Sequence, residues 1–216
     1  MPLQIRDGET ILFIGDSITD CGRRDSERPL GNGYVKLFAD MLTVREPDKA
    51  VTIINKGIGG DTVSGLRSRW TDDALRHKPD WLSILIGIND LHSFLGRVPD
   101  AVSPERFRED YENILSRTKD ALPDCRILLI DPFYMSRETS ASSPRKQPLD
   151  LIPEYLKTVH TMSRKYKTRL VKTHQMFQKL LELHELDTFS GGETVHPNLT
   201  GHLAIAEAVY SALSRK

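Results

Sequence analysis

The chain has 216 residues, 38% hydrophobic and 28% charged, with 30 Lys and Arg matched by 30 Asp and Glu. That length supplies one sizeable core and is short for two, so a single domain over residues 1–216 is expected. A formal net charge of +0 sets up no global field for nucleic acid or an anionic membrane surface, and it removes the self-repulsion that opposes self-association.

The N-terminal segment MPLQIRDGET has no basic flank leading into a long apolar run, and the run at 11–14 is far too short for a signal peptide or a membrane span. A soluble cytoplasmic protein is expected, with Cys21 and Cys125 as reduced thiols. Residues 10–14 (TILFI) read as a strand ending at Gly15. A helix follows over 34–44, with Val35, Phe38, Met41 and Leu42 on one face. Residues 51–54 (VTII) form a second strand that ends at Asn55 and a glycine-rich turn. Asp61 and Thr62 then offer cap chemistry for a helix over 63–75. The third strand, 81–86 (WLSILI), stops at Gly87. The next helix, 104–122, has Ser103 as its cap and Pro104 at its first position. Strand 126–130 (RILLI) leads into Asp131 and Pro132. Residues 136–148 are polar throughout, either a mobile surface loop or a functional lid or contact loop. Helices over 153–166, 174–184 and 199–213 complete the chain, with a weak fifth strand at Leu170 and Val171. Near-continuous apolar strands alternating with helices suit a parallel sheet covered on both faces, a three-layer α/β fold. The order of the strands is left open.

Ligands of open α/β sheets collect at the carboxyl ends of the strands, and here those ends carry polar residues. They read Gly15-Asp16-Ser17, then Asn55-Lys56-Gly57-Ile58-Gly59-Gly60-Asp61-Thr62, then Gly87-Ile88-Asn89-Asp90. Glu193-Thr194-Val195-His196-Pro197 precedes the last helix. Taken singly, each is an ordinary turn, cap or loop residue. Together they supply what acyl transfer requires: a nucleophile, its base, an orienting acid and donors for an oxyanion. Ser17 is the candidate nucleophile, His196 its base and Glu193 the acid three positions earlier. The Ser17 and Gly60 amides and the Asn89 side chain are the candidate oxyanion hole. A side chain at position 60 is expected to obstruct the substrate oxygen. No phosphate-loop pattern occurs in the glycine-rich segment.

These segments resemble the conserved blocks of the SGNH (GDSL-like) hydrolase superfamily: Ser17 in Gly-Asp-Ser, Gly60 in Asn-x-Gly-x-x-Gly-x-Thr, Asn89 in Gly-x-Asn-Asp, and His196 before Pro197. The resemblance spans 15–197 and implies a flavodoxin-like αβα sandwich with about five parallel strands in the order 2-1-3-4-5. A nearer likeness lies in IGDSITDCGR (14–23), NKGI (55–58), KPDWLSILIGIND (78–90) and DPFY (131–134). These are similar to bacterial intracellular acetyl-xylan esterases. That likeness implies deacetylation of small acetylated saccharides such as xylo-oligosaccharides, and a homo-oligomer. The family pattern has aspartate where this chain has Glu193, and Asp187 is the alternative acid. A lysophospholipase or thioesterase acting on longer acyl chains, and a non-catalytic carbohydrate-binding member of the fold, are the rival functions.

Of the remaining candidates, Asp16 holds the turn or lines the substrate pocket, Asp90 caps the next helix or lines the pocket, and His92 is a pocket candidate. His202 packs or caps, and Trp70, Trp81 and Tyr34 belong to the core or the pocket wall. No spacing of His, Cys and Asp suggests a metal site, so no metal and no cofactor are expected.

Overall fold

Five short runs of branched and aromatic residues supply the centre of the molecule. In the computed structural model, which describes residues 3–214, they pair as one parallel sheet. Strands β1 (Thr10–Gly15), β2 (Thr52–Gly57), β3 (Trp81–Leu85), β4 (Arg126–Ile130) and β5 (Arg169–Val171) lie in the order β2-β1-β3-β4-β5. The inner strands are apolar on both faces because helices cover both: Ile11, Leu12, Phe13, Ile14, Leu82 and Ile84 are fully buried. The helices are α1 (Ser17–Asp20), α2 (Tyr34–Arg45), α3 (Val63–Asp73), α4 (Ile88–Leu95), α5 (Pro104–Ala121), α6 (Lys146–Tyr166), α7 (Thr173–Leu180) and α8 (Leu199–Ser214). Helices α2 and α8 pack on each other; α3, α5 and α6 pack in series, with α4 against α6. The expected strand order and three-layer architecture are therefore present.

Phe13, Phe38 and Phe107 are each 0% exposed, and burying one such ring is worth about 1.5–3 kcal/mol. Trp70 in α3 is also fully buried, and its indole N–H donates to Thr118 Oγ1 of α5 at 3.0 Å, so its one polar atom is met.

Two features differ from expectation. The segments after β1 and β3 are not plain turns but short helices, α1 and α4. Helix α6 begins at Lys146, before the expected start at Pro153, so the polar segment 136–148 is loop only in its first part. Pro148 falls in the first turn, where no intrahelical amide bond is due. Pro153 sits in the interior and forgoes one such bond. Buried Ile152, Tyr155 and Val159 hold that turn against the core.

Register places the site. Gly15 pairs with both Gly57 and Leu85, so β1, β2 and β3 end side by side. The three segments that leave those ends are therefore neighbours in space.

Candidate active site

Ser17 opens helix α1, and Asp16 caps it. The Asp16 carboxylate accepts the Ile18 N–H at 3.0 Å, and its carbonyl accepts those of Thr19 and Asp20 at 3.1 and 2.9 Å. The four-residue helix fits against β2 because position 57 is glycine: a Cβ there would stand 2.2 Å from the Asp20 nitrogen. Among the described residues, no acceptor takes the N–H of Ser17 or of Gly60. Gly60 has φ +77, while a Cβ on it would meet nothing within 4 Å. Glycine is needed here for the left-handed backbone, and no protein atom fills the space its Cβ would take.

The Asn89 side chain donates to the Asp61 carbonyl at 2.9 Å, which leaves its second N–H for a ligand. Asp90 does not line the pocket, nor does it cap the next helix. It is 0% exposed and accepts the Val63 N–H, at 3.1 and 3.2 Å, at the start of α3. The adjacent residues Asn89 and Asp90 thereby clamp both ends of segment 61–63. Asp16, 1% exposed, likewise lies under the pocket floor rather than in it. Burial is the main cause that pushes both carboxyls up to about 7, each helped by neighbouring acids.

His196 reaches Ser17 from the loop before α8. That loop is pinned by Asn198, whose amide donates to the carbonyls of Asp187, Thr188 and Ser190 at 3.2–3.4 Å. Met135 N–H donates to the Thr194 carbonyl at 2.8 Å from the other side. Glu193 Oε1 lies 2.9 Å from His196 Nδ1, and Ser17 Oγ lies 2.9 Å from Nε2. A carboxylate only accepts, so the neutral ring carries its proton on Nδ1 and takes the Ser17 hydroxyl proton at Nε2. The longer glutamate side chain therefore spans the gap, while Asp187 makes no bond to the ring. Half-buried His92 is edge-on to Tyr134, centroids 5.8 Å apart. Its pKa is lowered by burial and, to a lesser extent, by the charge of His196.

One member of the site carried no motif signal. Arg69 of α3, with 15% of its side chain exposed, donates to Asp61 Oδ2 from Nε at 2.8 Å, to the Lys56 carbonyl at 2.8 Å and to Asp73 at 2.9 Å. It also reaches the Gly15 carbonyl at 3.2 Å. One guanidinium thus ties the ends of β1 and β2 to the residue whose carbonyl holds Asn89. A lone arginine on a predicted helix face gives no hint of this; only the fold brings its partners together. His202, expected to pack or cap, does both: it is 6% exposed, and its Nδ1 accepts the first amide of α2, Tyr34 N–H, at 3.3 Å. Among the described residues, no group of three or more His, Cys, Asp or Glu is placed to hold a metal ion.

The family model for GDSL-like lipases and acylhydrolases matches residues 13–204, which is most of the chain and contains all four segments. The chain belongs to the GDSL-like lipase/acylhydrolase family. Within this family, an acetylxylan esterase from Geobacillus stearothermophilus is 33% identical over 215 residues, 95% of this chain and 94% of its own. The crystal structure of an acetylxylan esterase from that organism aligns with a TM-score of 0.87 at 31% identity, covering 99% of this chain and 98% of its own. An alpha/beta hydrolase from the metagenome of Lake Arreo, Spain, aligns with a TM-score of 0.86 at 27% identity, covering 98% of each chain. Three solved variants of the Geobacillus esterase, with alanine at a serine, a histidine or an aspartate, are described as catalytic mutants. Their serine and histidine stand 179 residues apart, the separation of Ser17 and His196. Their aspartate precedes the histidine by three positions, as Glu193 precedes His196.

Proposed function

We propose that this protein is a serine esterase that removes acetyl groups from small acetylated saccharides, xylo-oligosaccharides above all. The observation that carries the proposal is the unbroken relay Glu193–His196–Ser17, with 2.9 Å at each step, beside two unclaimed backbone amides. The acetylxylan esterase relatives support acetyl as the acyl group and a saccharide as the alcohol.

In the proposed reaction, His196 Nε2 accepts the Ser17 proton as Oγ attacks the ester carbonyl. The Ser17 and Gly60 amides and the Asn89 side chain take the oxyanion, a preorganised set of donors that costs no rearrangement as charge develops. His196 then hands the proton to the departing alcohol oxygen, which leaves with the bonding electron pair. Water attacks the acetyl-serine by the same route and frees acetate. His92 borders the site beside His196 in this reading, whereas Asp16 and Asp90 act from beneath by holding amides. Cys21 and Cys125 are both free thiols, which agrees with a reducing compartment, and we place the enzyme in the cytoplasm; the likeness to acetyl-xylan esterases is what supports a homo-oligomer. Among the described residues, no helix is long and apolar enough to cross a membrane. The reading is tested by following acetate release from acetylated xylo-oligosaccharides by the wild type and by Ser17→Ala.

A further inference from the structure

We infer that the cleft running from Ser17 toward α8 is the subsite for the leaving alcohol, with Asn32 and Leu199 as the side chains that select a sugar there. The inference rests on the esterase reading above and adds where the saccharide half of the substrate lies.

The cleft has a volume of about 540 Å³ and is bordered by Ser17 and His196, but by neither Gly60 nor Asn89. Attack by Ser17 leaves the carbonyl carbon with four substituents: Oγ, the oxyanion, the acyl carbon and the ester oxygen. The oxyanion turns toward the Ser17, Gly60 and Asn89 donors. The ester oxygen must lie at His196 Nε2, which protonates it as the C–O bond breaks and the electron pair leaves with that oxygen. A cavity touching the serine and the histidine, away from the other two oxyanion donors, is therefore on the alcohol side. Its size agrees: a water molecule's share of liquid volume is roughly 30 Å³, so a two-carbon acyl group would leave such a space nearly empty. A saccharide of several rings has the bulk to occupy it.

The wall chemistry fits the same occupant. Cys21 and His202 line the cleft with their polar atoms already spent. Since His202 Nδ1 accepts from Tyr34, its proton is on Nε2, which donates to Cys21 Sγ at 3.2 Å. The thiol in turn donates to the Ile18 carbonyl at 3.4 Å. Burial pushes His202 down to about 4 and the Cys21 thiol up to about 12, so this wall is uncharged at neutral pH. Two lining side chains remain for a ligand. Asn32 is exposed, and among the described residues its amide has no partner. Leu199, at the start of α8, is 65% exposed and offers an apolar ledge. A pyranose ring matches that pairing, with hydroxyls for the amide and a C–H face for the leucine.

Two substrate series separate the halves of the ester. One varies the alcohol on a fixed acetyl group, from methyl through benzyl to acetylated xylo-oligosaccharide. The other varies the acyl chain on p-nitrophenol, from acetyl to octanoyl. Asn32→Ala and Leu199→Ser are each expected to lower the ratio of kcat/KM for the acetylated saccharide over methyl acetate by about tenfold, through KM. Leu199→Trp is expected to lower it further, while a fluorophosphonate still labels Ser17 in all three. The inference is overturned if the ratio stays within about twofold in every variant. It is equally overturned if Leu199→Trp shortens the acyl-chain preference instead, which would put the acyl chain in the cleft. A wild type that labels yet releases no acetate from any saccharide defeats the saccharide reading alone. The benzyl-to-methyl ratio then carries the same test of the alcohol side, with the same outcomes for and against.

Discussion

Glu193 stands where related esterases use aspartate, and its extra methylene is absorbed without losing contact with Nδ1. The Glu193 and His196 side chains are 56% and 49% exposed, so water competes for the ring when the acid is removed. Glu193→Ala should therefore lower kcat within the range of roughly 10²–10⁴ that general acid–base help supplies, and by less than Ser17→Ala. Steady-state kinetics on an acetyl ester decide it; an unchanged kcat would mean that something other than Glu193 orients the imidazole. His202 gives a pH prediction. Its native pKa is down at about 4, below the usual imidazole value near 6.5, so between those limits the unfolded chain binds a proton that the native one does not. The stability it contributes is complete above about 6.5 and is lost as pH falls toward 4. Asp16 and Asp90 work in the opposite sense: their native pKa values near 7 exceed the unfolded value near 4, so their contribution falls as pH rises through that window. Urea unfolding of His202→Gln between pH 4 and 7 should therefore show less loss of stability on acidification than the wild type. An identical profile would contradict a buried neutral ring. At this scale Ser17, Gly60, Asn89, Glu193 and His196 were visible as a pattern in the sequence. The turn-holding role of Asp16 was legible too, but the true position of Asp90 was not, since nothing local in a sequence says which way a carboxylate beside a motif points.

Short helices and strand ends, rather than turns, present the site. The sequence shows where β1 and β3 stop, because apolar runs break at Gly15 and Gly87, but four-residue α1 is too short to show a helical period of its own. Helix α4 did carry a signal, since Ile88, Leu91, Phe94 and Leu95 repeat at helical spacing; the motif overlying it drew the reading toward a turn. Helix α6 runs on through Pro153, the expected start, because the tertiary packing of Ile152 and Tyr155 outweighs the missing bond. Arg69 acts between elements: it fixes the ends of β1 and β2 and, through Asp61, the position of Asn89. Arg69→Met should lower kcat by roughly tenfold or more, yet by less than the 10²–10³ that loss of an oxyanion donor costs. KM should change little, and Arg69→Lys should recover part of the loss. A change confined to KM, or a Lys variant no better than Met, would count against a positioning role.

For the whole molecule, alternation of apolar runs with helical periods was enough for a three-layer α/β sandwich, while strand order came from the resemblance alone. The reason is physical: order is set by which crossovers pack together, a long-range property that no window of residues reports. The cleft between α1 and α8 likewise joins residues near 20, 32 and 200 that have no sequence relation. What the fold achieves is convergence: three strand ends in register and one stapled loop bring Ser17, Gly60, Asn89 and His196 to a common point. Hydrolysis of sugar acetyl esters at this point through Ser17 is tested by time-resolved acetate release from acetylated xylo-oligosaccharides by wild type and Ser17→Ala at equal concentration. Steady release by the wild type and release indistinguishable from buffer by the variant are expected; equal release by both would rule Ser17 out as the nucleophile.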